Sequence, residues 1–226
     1  MRAAVVYFEE MTTRLKRLGS VSAAVILSTL ALAAPAGATF PGPDGRIAFI
    51  QDGDVFTMKR DGGDVRRLTS LAPAGAAHVG WSADGRRLAF DLFPPGRSAQ
   101  LWLMDADGSH MRLLLDDPGY YDLDPSFSPD GTNVTFSRCR MTCAIYRIGS
   151  DGTGLRALTN LNPAFLDFQS PYSPDGGTIA FGHFTLDGGF ATGGGIDLMN
   201  ADGSNVRPLT SLELGAADPD WSPDGS

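Results

Sequence analysis

Phe127-Ser128-Pro129-Asp130-Gly131 decides how this chain is read, because the sequence repeats it. Trp81-Ser82-Ala83-Asp84-Gly85 comes before it, and Tyr172-Ser173-Pro174-Asp175-Gly176 and Trp221-Ser222-Pro223-Asp224-Gly225 come after. A worn first copy stands at Pro41-Gly42-Pro43-Asp44-Gly45. The five glycines step by 40, 46, 45 and 49 residues. Ser-Pro-Asp-Gly suits a type I turn at each place. Ser hydrogen-bonds the turn backbone, Pro presets φ, Asp tolerates the third position and Gly closes the fourth.

Working outward, each turn is followed by a short alternating strand: Ile47 and Phe49, Leu88 and Phe90, Val134 and Phe136, Ile179 and Phe181. A second punctuation comes next, at Asp61-Gly62, Asp107-Gly108, Asp151-Gly152 and Asp202-Gly203. Six residues before each Asp lie Val55, Leu101, Ile145 and Ile196; three before lie Met58, Met104, Ile148 and Met199. Four residues after lie Val65, Met111, Leu155 and Val206; seven after lie Leu68, Leu114, Leu158 and Leu209. No offset slips. Two strands joined by an Asp-Gly turn form a hairpin whose register these spacings set.

With the strand that carries the aromatic ahead of each turn, every repeat is a four-stranded antiparallel meander. That period and strand count predict an all-β fold, a β-propeller, with blades at about 39–70, 71–116, 117–160 and 161–211 and the start of a fifth at 212–226. Two readings of the ends follow. Asp218–Ser222 could supply the inner strand of the first blade and close a four-bladed ring. The reading preferred here is an incomplete ring, part of a larger one of six blades.

The first 38 residues read differently. Arg14, Lys16 and Arg17 precede an apolar run from Val21 to Ala34, and Ala36-Gly37-Ala38 offers a small-residue cleavage site before Thr39. This is the pattern of a secretory signal peptide, too short for a spanning helix. Glu9 and Glu10 sit oddly ahead of it, which makes Met11 an alternative start. The expectation is an exported protein, periplasmic or extracellular, with no stable membrane insertion after cleavage.

The leader holds four of the 18 basic and two of the 26 acidic residues, leaving a mature net charge of about −10. Such a surface repels nucleic acid, and no basic stripe opposes that. Much of the acidity is turn chemistry. Cys139 and Cys143 bracket one hairpin tip, and in an exported protein they are expected to form a disulfide. They have no nearby His or further Cys to make a zinc site.

Catalytic constellations are hard to find. Gly80-Trp81-Ser82-Ala83-Asp84 lacks the last glycine of a nucleophile elbow, and its serine belongs to a repeat turn. His78, His110 and His183 have no spaced partners, so each reads as a surface residue before a base or ligand. Asp105-Ala106-Asp107-Gly108 and Asn200-Ala201-Asp202-Gly203 lack the later ligands of a calcium loop. Gly193-Gly194-Gly195 is not followed by the Lys-Ser/Thr of a phosphate loop. No cofactor, metal or catalytic residue is assigned.

The spacing also separates two faces. The Ser-Pro-Asp-Gly and Asp-Gly turns share one end of the blades, and their fixed spacing marks Asp84, Gly85, Asp130, Gly131, Asp175, Gly176, Asp224 and Gly225 as structural. The second loops share the other end and vary. Phe49 to Val55 is 6 residues, Phe90 to Leu101 is 11, Phe136 to Ile145 is 9 and Phe181 to Ile196 is 15. Variable insertions on one face mark a binding face. Its candidates are His78, Phe93, Tyr120, Tyr121, Asp122, Asp124, Phe168, Phe184 and Phe190. Asp122 and Asp124 would point to the mouth of a central tunnel. By the same logic Gly194→Ser should leave stability nearly unchanged while Gly131→Val should not.

DPSFSPDGTNVTFSRCRMTCAIYRIGSDGTGLRALT (124–159) and DPDWSPDG (218–225) resemble the WD-like, Pro-Asp-Gly propeller repeats of the TolB carboxy-terminal domain family, from Thr39 onward. The resemblance implies an exported six-bladed propeller that works by binding a protein or cell-envelope ligand. The sequence ahead of the blades does not read as the α/β domain that begins TolB proper. Related repeats form the gating propeller of prolyl-oligopeptidase-type peptidases and of oligogalacturonate lyase, so a propeller belonging to an enzyme is the second expectation.

Overall fold

The repeated turn folds as its residues require. In each of the four described copies the glycine N–H donates to the serine carbonyl at 2.8–2.9 Å, with glycine φ between +66° and +74°. The serine hydroxyl donates to Oδ1 of the aspartate at 2.5–2.8 Å. In the first three the same hydroxyl oxygen accepts the N–H five residues on, at 3.0 Å. Asp84, Asp130 and Asp175 are held below the usual carboxylate range, first by that serine hydroxyl. The residue preferences of the turn are therefore hydrogen bonds, made in the same way each time.

A computed structural model describes residues 45–225; the leader, the alternative start at Met11 and the turn residues 41–44 lie outside them. Four antiparallel sheets follow in chain order. The first has three strands, β1 (Arg46–Gln51), β2 (Asp54–Lys59) and β3 (Arg66–Arg67). The second has β4 (Gly75–Trp81), β5 (Arg87–Phe93), β6 (Gln100–Asp105) and β7 (Arg112–Leu115). The third has β8 (Tyr121–Phe127), β9 (Asn133–Cys139), β10 (Cys143–Gly149) and β11 (Arg156–Ala157). The fourth has β12 (Phe165–Phe168), β13 (Thr178–Asp187), β14 (Phe190–Asn200) and β15 (Arg207–Pro208). A 3₁₀ turn at Leu212–Leu214 ends the regular structure.

The cores lie between sheets rather than within them. Leu101 and Leu103 of the second blade share a cluster with Phe127, Val134 and Phe136 of the third. Ile145 and Leu158 of the third pack with Tyr172, Ile179 and Phe181 of the fourth. Val55 of the first meets Leu88, Phe90 and Met104 of the second. Phe90, Phe136 and Phe181 are fully buried, each contributing about 1.5–3 kcal/mol from area alone. The Asp-Gly glycines serve the same joints: a Cβ on Gly108 would lie 2.8 Å from the carbonyl oxygen of Leu68, one blade back.

Two expectations are corrected, that of a second loop spanning Phe184 to Gly195 and that of a tolerant Gly194. The segment from Phe184 to Gly195 is not a loop: β13 and β14 continue as a hairpin turned at Gly188-Gly189. Its glycines are there because the 210–216 segment crosses it closely; Gly193 faces Leu212 and Gly195 faces Thr210 and Ser211. Gly194 is buried, and a Cβ there would meet the Phe184 ring at 2.6 Å, so it is not a tolerant site. Val65, Met111, Leu155 and Val206 lie exposed ahead of the outer strands and take no part in the core. Asp218–Ser222, which the four-bladed alternative would make the inner strand of the first blade, forms no strand with β1. Trp221 instead packs on Ala180, Ile196 and Leu198, and its indole N–H donates to the Pro171 carbonyl at 3.2 Å.

Candidate binding site at the inner strands

In the second and third blades the first strand ends in the aromatic residue ahead of the turn, and three residues before the aromatic of the four described turns stand His78, Asp124, Gln169 and Asp218. The ladder is bulged there, between Ala76 and Val79 and between Leu123 and Ser126. Asp124, Gln169 and Asp218 take φ of 54°, 50° and 54°, a left-handed conformation that Asp tolerates better than most residues. A bulge re-aims side chains and leaves backbone N–H groups needing partners.

Asp91 supplies those partners. It follows Phe90 on β5, is 0% exposed, and its Oδ1 accepts the N–H of Ala77 at 3.1 Å and of His78 at 2.9 Å. Its Oδ2 accepts the Asp124 N–H at 3.2 Å and lies 2.6 Å from His78 Nδ1. His78 Nε2 is 3.2 Å from Asp124 Oδ1 on the neighbouring blade. In the next joint Ser137 Oγ plays the part of Asp91, accepting the Gln169 N–H at 3.1 Å.

The charges are coupled. Burial lowers the His78 pKa, but the hydrogen bond to Asp91 and the charges of Asp124, Asp91 and Asp218 outweigh it and raise it to about 9. Burial raises Asp124 to about 6, with the charge of His78 opposing and those of Asp91 and Asp218 adding. At neutral pH the cluster is thus an imidazolium held among three carboxylates. Because its two nitrogens face different carboxylates, the arrangement offers no common point for a metal ion, and among the described residues no His, Cys, Asp and Glu group is arranged to hold one.

Two residues further back along the inner strands are Asp122 and Asp167, and their cross-strand neighbours are Arg138 and His183. His183 Nδ1 lies 2.7 Å from Asp167 Oδ1, and that bond raises its pKa. Arg138 is buried, pairs with Asp117 and lies over the rings of Tyr120 at 4.3 Å and Tyr146 at 5.4 Å. The Asp122 carboxyl oxygens accept no hydrogen bond; Arg138 Nε stands 3.6 Å from Oδ1, and burial pushes the Asp122 pKa up to about 7.

The residues singled out from sequence therefore divide. His78 and Asp124 come together, which corrects the reading of His78 as a histidine without partners. Asp122 and Asp124 lie in strand β8 rather than in a solvated crossover, and Asp122 is buried. Tyr120 stacks on Arg138, and Tyr121 pairs with Cys139 in the ladder. Phe93 is half-buried at the end of β5, opposite Gly75. Phe168 is buried edge-on to the half-buried Phe184, so these two pack rather than line a surface. Phe190 is 64% exposed. Cys139 and Cys143 form a disulfide. The participants missed were Asp91, Arg138, Asp167, Gln169 and Asp218. Their repeat positions, three or five before the aromatic and one or two after the Phe of the second strand, were the available signal.

Four-stranded meanders packed face to face around a set of inner strands define a β-propeller. The chain belongs to the TolB beta propeller domain family, which matches residues 54–226. It is 34% identical over 125 residues to the Tol-Pal system protein TolB of Anaeromyxobacter dehalogenans, covering 54% of this chain and 26% of that protein. It is 30% identical over 146 residues to the uncharacterized peptidase YuxL of Bacillus subtilis, covering 64% of this chain and 20% of that one. Among solved structures it resembles a putative TolB from Agrobacterium tumefaciens with a TM-score of 0.65 and 25% identity, over 80% of this chain and 66% of that one. The matched part thus spans 26% and 20% of the length of these two sequence relatives.

Proposed function

We propose that the chain is an exported binding module that holds a protein or cell-envelope ligand against the polar cluster of its inner strands and performs no chemistry itself. The observation that carries this reading is the occupancy of His78. Both ring nitrogens face carboxylates, at 2.6 Å and 3.2 Å, and its raised pKa keeps it protonated at neutral pH. An imidazolium has no lone pair with which to act as a general base. What the cluster offers is a fixed array of charge, contributed by two blades, suited to recognition. Similarity to TolB supports an envelope setting.

The test is affinity capture from the exported and envelope fractions of the source cells, comparing wild-type protein with His78→Gln/Asp124→Asn. A component retained by the wild type and lost with the variant supports the reading; none, or equal retention, overturns it. The similarity to YuxL favours a second reading, in which the blades serve a peptidase. Labelling of the natural full-length protein by a fluorophosphonate probe would select that reading.

A further inference from the structure

We infer that the long hairpin of the fourth blade is a docking surface separate from the inner-strand cluster, and that its occupant is a protein segment in which apolar side chains are flanked by Lys or Arg. The repeat itself singles the hairpin out. β13 and β14 run for 10 and 11 residues, where their counterparts in the other blades run for 6 or 7. Past Phe181 the hairpin reaches about 10 Å further than the third blade does past Phe136. This is the face where insertions vary, and blades two and three do without the extension.

The extension is built as a platform. Gly193, Gly194 and Gly195 let the 210–216 segment cross β14 at backbone distance, with Leu212 O 3.1 Å from a Cβ on Gly193 and the Ala216 N–H donating to the Gly194 carbonyl at 3.1 Å. The crossover from the third blade fixes the other side, where the Leu186 N–H donates to the Ala164 carbonyl at 2.7 Å. Yet the apolar side chains brought there face water: Phe190 is 64%, Leu212 36% and Leu214 66% exposed. Large apolar residues on a rigid support are the usual anchors of an interface, because little ordering entropy remains to be lost on binding.

Charge selects the occupant. Asp187 is the ladder partner of Phe190, and Glu213 sits between Leu212 and Leu214. Both acids are exposed, on a chain of net charge −8. Exposed apolar residues that each stand beside a carboxylate, Phe190 beside Asp187 and Leu212 and Leu214 beside Glu213, favour apolar residues accompanied by cations and repel an anionic lipid surface.

A fluorescent peptide of leucine and lysine in an amphipathic pattern serves as probe, with its leucine–glutamate counterpart as control. Fluorescence anisotropy should show saturable binding of the lysine peptide, weaker by at least about tenfold for the glutamate peptide and for Phe190→Ser/Leu214→Ser. Asp187→Lys/Glu213→Lys should reverse the preference. Both variants sit on exposed positions, and their thermal unfolding verifies that they fold. Equal binding to the wild type and to Phe190→Ser/Leu214→Ser overturns the inference, as does binding of neither peptide. So does preferential binding to anionic phosphatidylglycerol vesicles. His78→Gln/Asp124→Asn should bind the lysine peptide unchanged, so failure here is distinguishable from failure of the inner-strand site.

Discussion

Gly203 stands against Leu158 across the joint between the third and fourth blades: a Cβ on the glycine would lie 2.9 Å from the leucine carbonyl oxygen. The same pairing joins Gly108 to Leu68 and, less tightly, Gly152 to Leu114 at 3.6 Å. The seven-residue rule of the sequence and the Asp-Gly turn are therefore two halves of one contact.

Replacing Gly203 by Ala should cost more than replacing Gly62. Both have strongly positive φ, +85° and +80°, which costs an alanine about 1–2 kcal/mol, but Gly62 has nothing within 4 Å. The excess at Gly203 in a denaturant titration measures the joint. Equal losses would show that backbone conformation alone accounts for the glycine.

Gly194→Ser should destabilise by about 1–3 kcal/mol, since the added atom enters the space of the Phe184 ring. Phe184→Ala removes the obstacle, so the double variant should lose less than the two single losses summed. Strict additivity would put the strain elsewhere.

Stability should fall as pH rises from about 4 to 9. His78 has a folded pKa near 9 against 6.5 unfolded, so its contribution is complete below 6.5 and is lost as pH rises through 9. Asp124 and Asp122, raised to about 6 and about 7 from 3.8, favour the folded state in their protonated forms, and that contribution disappears as pH rises through those values. Chemical denaturation at a series of pH values tests this. His78→Gln should flatten the segment between 6.5 and 9, and an unchanged slope would remove His78 as its source.

Thiol labelling of unfolded, unreduced protein should find no free cysteine, because Cys139 and Cys143 are paired. Reduction should lower stability by less than the ~3 kcal/mol of a 15-residue loop, as only a four-residue separation is closed.

The blades were legible because turn chemistry is local: Ser128, Asp130 and Gly131 satisfy one another within five residues. Other repeated devices use partners on neighbouring strands or blades and so carry no local signature. Thr69, Thr159 and Thr210 each accept a backbone N–H from within β2, β10 and β14, of Val55, Ile145 and Ile196, at 2.9 Å. Arg112 and Arg156 each reach a backbone carbonyl in the next blade, of Ser150 and Asp202. Asp91 has no visible signature in the sequence because it lies among apolar residues of β5 and its task belongs to a bulge in another strand. The fourth-blade hairpin was misread for the opposite reason. Its length was read from the Phe181-to-Ile196 spacing as a loop, when the extra residues extend the two strands and the close passage of the 210–216 backbone demands the glycines.

Because the apolar clusters sit in the joints, the unit of inheritance and the unit of cohesion are out of phase. A duplicated repeat brings with it half of each of two joints, and each half matches what its neighbours already present. Adding or removing a whole repeat would leave each remaining joint with matched halves, while Gly203 and Leu158, which meet only across a boundary, constrain each other's shape.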